Sequence, residues 1–195
     1  MNKTISFVEK LTKPYYYFGQ VFAYNNTMKL IQLSTSLLLI FFTQFITAQN
    51  LEGFDEMCGE YISGTVTLAM PQQVLRDTSG VILDTREITE YNTSHIKGAR
   101  FVGYDYFKLK KLKDIDKNTP IYVYCSIGYR SEQIGEKLQS AGYTKVYNMY
   151  GGIFNWVNTG YTVVNKKNQP TTLVHGYNQD WGKWLNKNKC KPIID

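Results

Sequence analysis

The sequence predicts an α/β fold of βαβ units on a parallel sheet, and three observations carry that expectation. Short runs rich in β-branched and aromatic residues stand at 81–83 and 121–124, and 99–102 and 145–148 read as further strands, each of strand length. Helical patterns separate them, at 71–76, 88–91 and, most clearly, after Gly128. Parallel neighbours need such crossovers, so the alternation reads as a parallel sheet. The third observation is Cys125, set where the run Ile121-Tyr122-Val123-Tyr124 ends and a helix begins.

The elements follow in order. Residues 65–67, Thr-Val-Thr, are expected to form a first short strand, and 71–76 a helix with Pro71 at its start, where a missing N–H costs nothing. Asp77-Thr78-Ser79-Gly80 is a turn cluster. Strand 81–83, a short helix over 88–91, strand 99–102 and a helical stretch over 104–111 come next. After strand 121–124 and the cysteine loop, Ile134, Leu138 and Ala141 share one helix face, and Gly142 stops the helix. Strand 145–148 completes the sheet.

A chain of 195 residues holds one domain with additions, since single cores span roughly 100–150 residues. The domain is expected over 64–164, after a polar lead-in at 49–63 that carries Cys58. Residues 165–195 read as a polar linker and an aromatic extension. There Trp181, Trp184 and Leu185 are spaced to share one helix face. That face either packs back on the domain or docks a protein partner. Residues 28–48 have the layout of a signal peptide: Met28-Lys29, an apolar run over 37–42, and Ala48 as a small cleavage residue. The run is shorter than the ~20 residues of a spanning helix. Export to the periplasm or medium is therefore expected, with no membrane span left after cleavage. The alternative is an uncleaved anchor through 30–47. Residues 1–27 show no period and stay unassigned.

The formal charge of +6 is spread along the chain. The densest run, Lys108, Lys110, Lys111 and Lys113, lies beside Asp114 and Asp116 and reads as a solvated face rather than a nucleic-acid patch. There is no Cys-x-x-Cys pair and no Cys/His cluster, so neither a metal nor a cofactor is expected. Cys58 and Cys190 are the two cysteines outside the loop, and in an oxidising compartment they have the option of a disulfide.

Cys125 is placed for chemistry. Amides of the loop that follows can form a nest, and the helix N-terminus adds partial positive charge. Both favour a thiolate and can hold an anion beside the sulfur. The loop Cys125-Ser126-Ile127-Gly128-Tyr129-Arg130 resembles the active-site loop of the rhodanese family of sulfurtransferases. Upstream, Asp84-Thr85-Arg86-Glu87, Glu90-Tyr91 and Ser94-His95-Ile96-Lys97-Gly98-Ala99 resemble the family's signature. Downstream, Ala141-Gly142-Tyr143, Val146-Tyr147-Asn148-Met149 and Gly151-Gly152-Ile153 with Trp156 resemble its closing segment. Three blocks in order are specific where Cys-x-x-Gly-x-Arg alone is weak.

The resemblance implies a three-layer α/β domain, with a central parallel sheet and helices on both faces. It also implies a sulfurtransferase in which Cys125 carries a persulfide between a small sulfur donor and a thiol or cyanide-like acceptor. Amides of Ser126, Ile127, Gly128, Tyr129 and Arg130 would hold the anionic sulfur, with Gly128 allowing a positive φ. Arg130 either binds an anionic donor or braces the loop. Arg86 stands with the substrate contacts, with bracing through Asp84 or Glu87 as its other role. His95 falls in a fold-forming block, and nothing places His175 near Cys125. Ile127 and Tyr129 stand where some thiosulfate users carry basic residues, which argues for a less charged donor. Two rivals remain. A cysteine phosphatase or arsenate reductase uses five residues between Cys and Arg, whereas four separate Cys125 from Arg130. A redox-sensing or docking module needs no turnover, though a sensor commonly has a resolving cysteine beside it.

Overall fold

Residues Ile121–Tyr124 are buried along their whole length, and both layers of helices pack against the sheet they centre. The computed structural model of the chain describes Gln32, Ser34, Thr35 and residues 53–194. The main sheet comprises β1 (Leu68–Ala69), β2 (Val81–Asp84), β3 (Arg100–Phe101), β4 (Ile121–Tyr124) and β5 (Val146–Met149). Its order is β1-β5-β4-β2-β3, with every pairing parallel. Val123 sits opposite Leu83 on one side and Asn148 on the other.

Side chains of a strand alternate between faces, and here the alternation divides the core in two. Tyr122, Tyr124, Ile82 and Met149 join Phe54 and Met57 of a helical run at 53–61 (α1), Val74 of α2 (Pro71–Arg76), and Ile153, Phe154 and Trp156 of α5 (Gly152–Asn158). Ile121, Val123, Leu83 and Val146 face the other way, against Ile134 and Leu138 of α4 (Tyr129–Ser140). Each such apolar side chain contributes about 1.5–3 kcal/mol when fully buried. The result is the three-layer α/β arrangement the sequence implies. Helix α3 (Ile88–Thr93) follows β2. Helix α4 ends where Gly142 takes φ +87°, with Lys137 in its last turn, favourable to the helix dipole.

Four expectations shift. The first strand forms at Leu68–Ala69 rather than 65–67, although Thr67 O still accepts from Asn148 N. The helical stretch over 104–111 reduces to a 3-10 turn at Leu109–Leu112. The lead-in is helical over 53–61, because Phe54, Met57 and Cys58 are spaced to bury one face. The polar linker is a hairpin of β6 (Val163–Val164) and β7 (Pro170–Thr171).

The tail folds onto the domain. Strand β8 (Leu173–His175) pairs in parallel with β9 (Lys191–Ile193), and α6 spans Gln179–Gly182. Trp184 and Leu185 lie past the end of α6. Even so, Leu185 is buried and Trp184 meets the ring of Phe54 edge-on at 6.2 Å. Cys58 and Cys190 carry free thiols. Cys58 Sγ faces the carbonyl of Ile127 at 4.0 Å and Cys190 Sγ that of Asn186 at 3.6 Å, so the disulfide is not formed. The signal-peptide and anchor readings of 28–48 concern residues that, apart from Gln32, Ser34 and Thr35, lie outside the described ones. Among the described residues, no helix is long and apolar enough to cross a membrane.

Candidate active site

The chain leaves β2 towards β3 and leaves β4 towards β5, its neighbour on the opposite side. Between the carboxyl ends of β2 and β4 the connections therefore diverge, and such a switch point opens a crevice. Two loops meet there: Thr85–Glu87 after β2, and Cys125–Gly128 after β4. Thr85 ties them together, its N–H and Oγ1–H both donating to the Tyr124 carbonyl at 2.9 and 3.0 Å.

The cysteine loop is held by its carbonyls, and one of its amides, that of Gly128, meets the sulfur. The first-turn amides of α5 have no partner within their helix. Ile153 N donates to Cys125 O at 2.9 Å and Phe154 N to Ser126 O at 3.1 Å. The Gly128 carbonyl accepts from Asn148 Nδ2 at 2.9 Å and from Ser131 Oγ at 3.1 Å. Gly128 N–H then donates to Cys125 Sγ at 3.2 Å. Gly128 holds φ +120° directly before α4, and a Cβ there would lie 2.7 Å from Ile62 Cδ1. A Cβ on Gly152 would collide with the backbone of Cys125 and Ser126, so α5 approaches the loop only as glycine permits.

Two ion pairs flank the loop. Arg130 Nη1 and Nη2 bind the two oxygens of Glu90 on α3, each at 2.8 Å. Ser126 Oγ joins them, donating to Glu90 Oε1 at 3.1 Å and accepting from Arg130 Nη2 at 3.0 Å. Burial alone would raise the Glu90 carboxyl, but the hydrogen bonds and charge of Arg130, with Arg86 behind, hold it below the usual carboxylate range. Burial likewise opposes the charge on Arg130, and Glu90 and the nearby Cys125 outweigh it, so the guanidinium stays charged.

Arg86 requires a correction. It is completely buried, with Nε and Nη2 on Asp84 and Nη2 also on the Ser94 carbonyl at 2.6 Å. Tyr124 Oη donates to the same Asp84 at 2.6 Å. With no exposed surface, Arg86 braces the ends of β2 and β4 and does not touch a substrate.

The other proposed site residues gather around one cleft of about 540 Å³. Cys125, Ser126, Ile127, Tyr129 and Arg130 all line it. Gly128 contributes its amide from behind. Ile127 is 5% exposed and belongs to the core, whereas Tyr129 is half exposed at the rim. Sequence reasoning gave Glu90 no role, although it stands in the quoted signature. It also missed Tyr61, Tyr177 and Trp181, which line the same cleft. Cys58, on α1, faces the loop from the core side. Burial first, then Asp55 and Cys125, push its thiol up to about 12. His95 stacks on Tyr91 with centroids 3.9 Å apart and pairs with Val164, a structural place. His175 is buried and accepts from Tyr177 N at 3.0 Å through Nδ1.

The rhodanese-like domain family matches residues 71–159. The chain is 36% identical over 88 residues to the candidate sulfur carrier protein YrkF of Bacillus subtilis (strain 168), a match covering 45% of this chain and 47% of that one. It is 30% identical over 91 residues to the thiosulfate sulfurtransferase GlpE of Tolumonas auensis, covering 47% of this chain and 85% of that protein. The solution structure of the rhodanese-like domain of the Alr3790 protein from Anabaena sp. superposes with a TM-score of 0.47 at 24% identity, over 50% of this chain and 78% of that one. The chain spans about half the length of the first curated relatives it matches, 47% and 59%.

Proposed function

This chain belongs to the rhodanese-like family, and from that premise we propose that it moves a sulfane sulfur from a small donor to a nucleophilic acceptor through a persulfide on Cys125. The Cys125 thiolate attacks the outer sulfur of the donor. The bond from that sulfur to the rest of the donor breaks, and the leaving group departs with the electron pair. A thiolate or cyanide then attacks the outer sulfur of the persulfide, and the Cys125 thiolate leaves.

One observation carries the reading. Gly128 N–H points at Cys125 Sγ from 3.2 Å, at the head of a helix and at the floor of a cleft. That donor is fixed before reaction, so it stabilises the anionic sulfur in both half-reactions without rearrangement. The Glu90–Arg130–Ser126 cluster supports it by holding the loop from the side. Arg130 is thereby a positioning residue, and with Ile127 apolar and Tyr129 uncharged the site favours donors less charged than thiosulfate. Export through cleavage within 28–48 completes the proposal, and intact mass of the protein from the envelope fraction tests it.

The deciding experiment is peptide mapping after exposure to a sulfane donor. The Cys125 peptide gains one sulfur atom, cyanide removes it, and Cys125→Ser protein gains none. Sulfur found on Cys58 or Cys190 instead, or a Cys125→Ser protein that turns over at the parent rate, rejects the mechanism.

A further inference from the structure

The matched segment ends at residue 159 and begins at 71, yet the cleft above Cys125 is walled by residues from beyond both limits. Tyr61 comes from α1, and Tyr177 and Trp181 from the tail. Tyr61 and Trp181 meet edge-on with centroids 4.9 Å apart, so the two outer segments close on each other across the site. Tyr177 is fixed as deliberately. It is one of two non-glycine residues with positive φ among the described residues, at +68°, and His175 accepts its N–H. That conformation is strained for a tyrosine, and the result is a ring set over the Arg130 guanidinium at 5.4 Å.

The charges of the cleft complete the picture. Its acidic side chains are Glu87 and Asp105, and its one cation, Arg130, is already matched by Glu90. Glu87 Oε1 is buried without a hydrogen-bond partner, a state that normally calls for explanation. A neighbouring groove shares Tyr61 and Trp181 and adds Glu56, Glu60 and Asp180 against Lys183. In a chain of net charge +6, the ground around Cys125 is locally negative and aromatic. An anionic donor entering it meets carboxylates and ring faces, with no uncommitted cation among the cleft's side chains. A cation meets ring faces, whose quadrupole attracts it, beside the acidic residues Glu87 and Asp105 of the cleft wall.

We propose that this cleft selects a small organic sulfur compound carrying a protonated amine, held by the Tyr61–Trp181–Tyr177 wall and by Glu87. The proposal rests on the sulfurtransfer reading above and names its substrate class. The amine takes no part in bond exchange; it places the sulfur over Cys125. The cleft's size suits such a molecule.

Binding of thioethers, which cannot donate or accept sulfur, tests recognition apart from turnover. Methylthio-ethylamine, methylthio-ethanol and methylthio-propionate differ at one end only, as ammonium, hydroxyl and carboxylate. Titrated into the full chain at neutral pH, the amine binds about tenfold tighter than the alcohol, and the carboxylate binds weakest. Glu87→Gln, nearly isosteric, brings the amine down towards the alcohol, and Trp181→Ala weakens the amine most. A carboxylate that binds as tightly as the amine, or an amine preference that survives Glu87→Gln, overturns the proposal. Sulfur loading of Cys125 with no amine preference sinks this proposal alone. An amine preference in a protein that never loads sulfur sinks the sulfurtransfer reading and leaves the recognition.

Discussion

Cys58 on α1 and Cys125 at the end of β4 are buried equally, 0% and 1% exposed, and lie on two sides of the same loop. What separates them is the backbone group each sulfur meets. Cys58 Sγ faces a carbonyl oxygen, that of Ile127; Cys125 Sγ faces an amide, that of Gly128. An oxygen lone pair repels a thiolate and an N–H attracts one, so the two poles of the single Ile127–Gly128 peptide group meet the two cysteines in opposite senses. Burial then reinforces the difference at Cys58, whose thiol stays protonated up to about 12. Burial alone is thus no measure of whether a cysteine is inert, because the loop that buries both turns a carbonyl to one sulfur and an amide to the other.

The contrast breaks most visibly at the nucleophile. Cys125→Ser lowers sulfur transfer by at least about a thousandfold, since a serine without a base is a poor nucleophile, while Cys58→Ser leaves turnover near that of the parent. Steady-state rates of the two variants decide it, and equal losses would erase the distinction.

Next in size is Gly128→Ala. The added Cβ meets Ile62 Cδ1, and an alanine at φ +120° is strained by about 1–3 kcal/mol. Relieving that strain turns the amide away from Sγ, with about a hundredfold loss of turnover. Adding Ile62→Val removes the contact but not the strain, so turnover in the double variant stays low. Recovery there would mean the contact alone was at fault.

Glu90→Gln sharpens the comparison from the side of the loop. It leaves Arg130 half-matched and costs about 2–3 kcal/mol of stability at neutral pH, read by denaturant titration. The carboxyl is held below its ordinary value when folded. Its stabilisation is therefore complete above the unfolded value near 4.3 and is lost as pH falls through the lowered folded value. The parent's stability falls along that acid limb; the variant's is flatter.

How much of this was legible in the sequence follows from the range of the contacts. Strands β2 and β4 announce themselves, because a strand covered on both faces is apolar along most of its length. The positive φ of Gly128 and the place of Cys125 directly after β4 are local features, legible from the residues themselves. The stripe Phe54, Met57, Cys58, Tyr61 carried a helical signal at spacings of three and four, but the intervening Asp55, Glu56 and Glu60 disguised it as a lead-in. Residues 104–111 hold enough apolar side chains to suggest a helix, yet only Leu112 at the end of the 3-10 turn is fully buried. Arg86 and Arg130 look alike in sequence, each an arginine in a signature near carboxylates. Only the sheet order shows that Asp84 seals one in the core while Glu90, 40 residues from Arg130, holds the other beside the cleft. Tyr177 and Trp181 reach the site through tail packing, which no local pattern reports.

The smallest expected effect lies at high pH. Cys58 ionises near 8.5 in an unfolded chain and only at about 12 in the folded one. Between those values the unfolded chain releases a proton that the native state retains. The parent therefore loses stability as pH rises, by at most about 1.4 kcal/mol per unit from this group. Replacing Cys58 with alanine leaves a cavity and lowers stability at neutral pH, but it removes this alkaline slope. Cys190, raised to about 11 by burial, is present in both proteins and cancels in the comparison. The measurement is the difference in unfolding free energy between parent and Cys58→Ala across pH 7.5 to 10. A difference that narrows as pH rises places the proton on Cys58 in the folded state. A constant difference would mean that Cys58 ionises alike in both states, and the opposition between the two cysteines would then rest on reactivity alone.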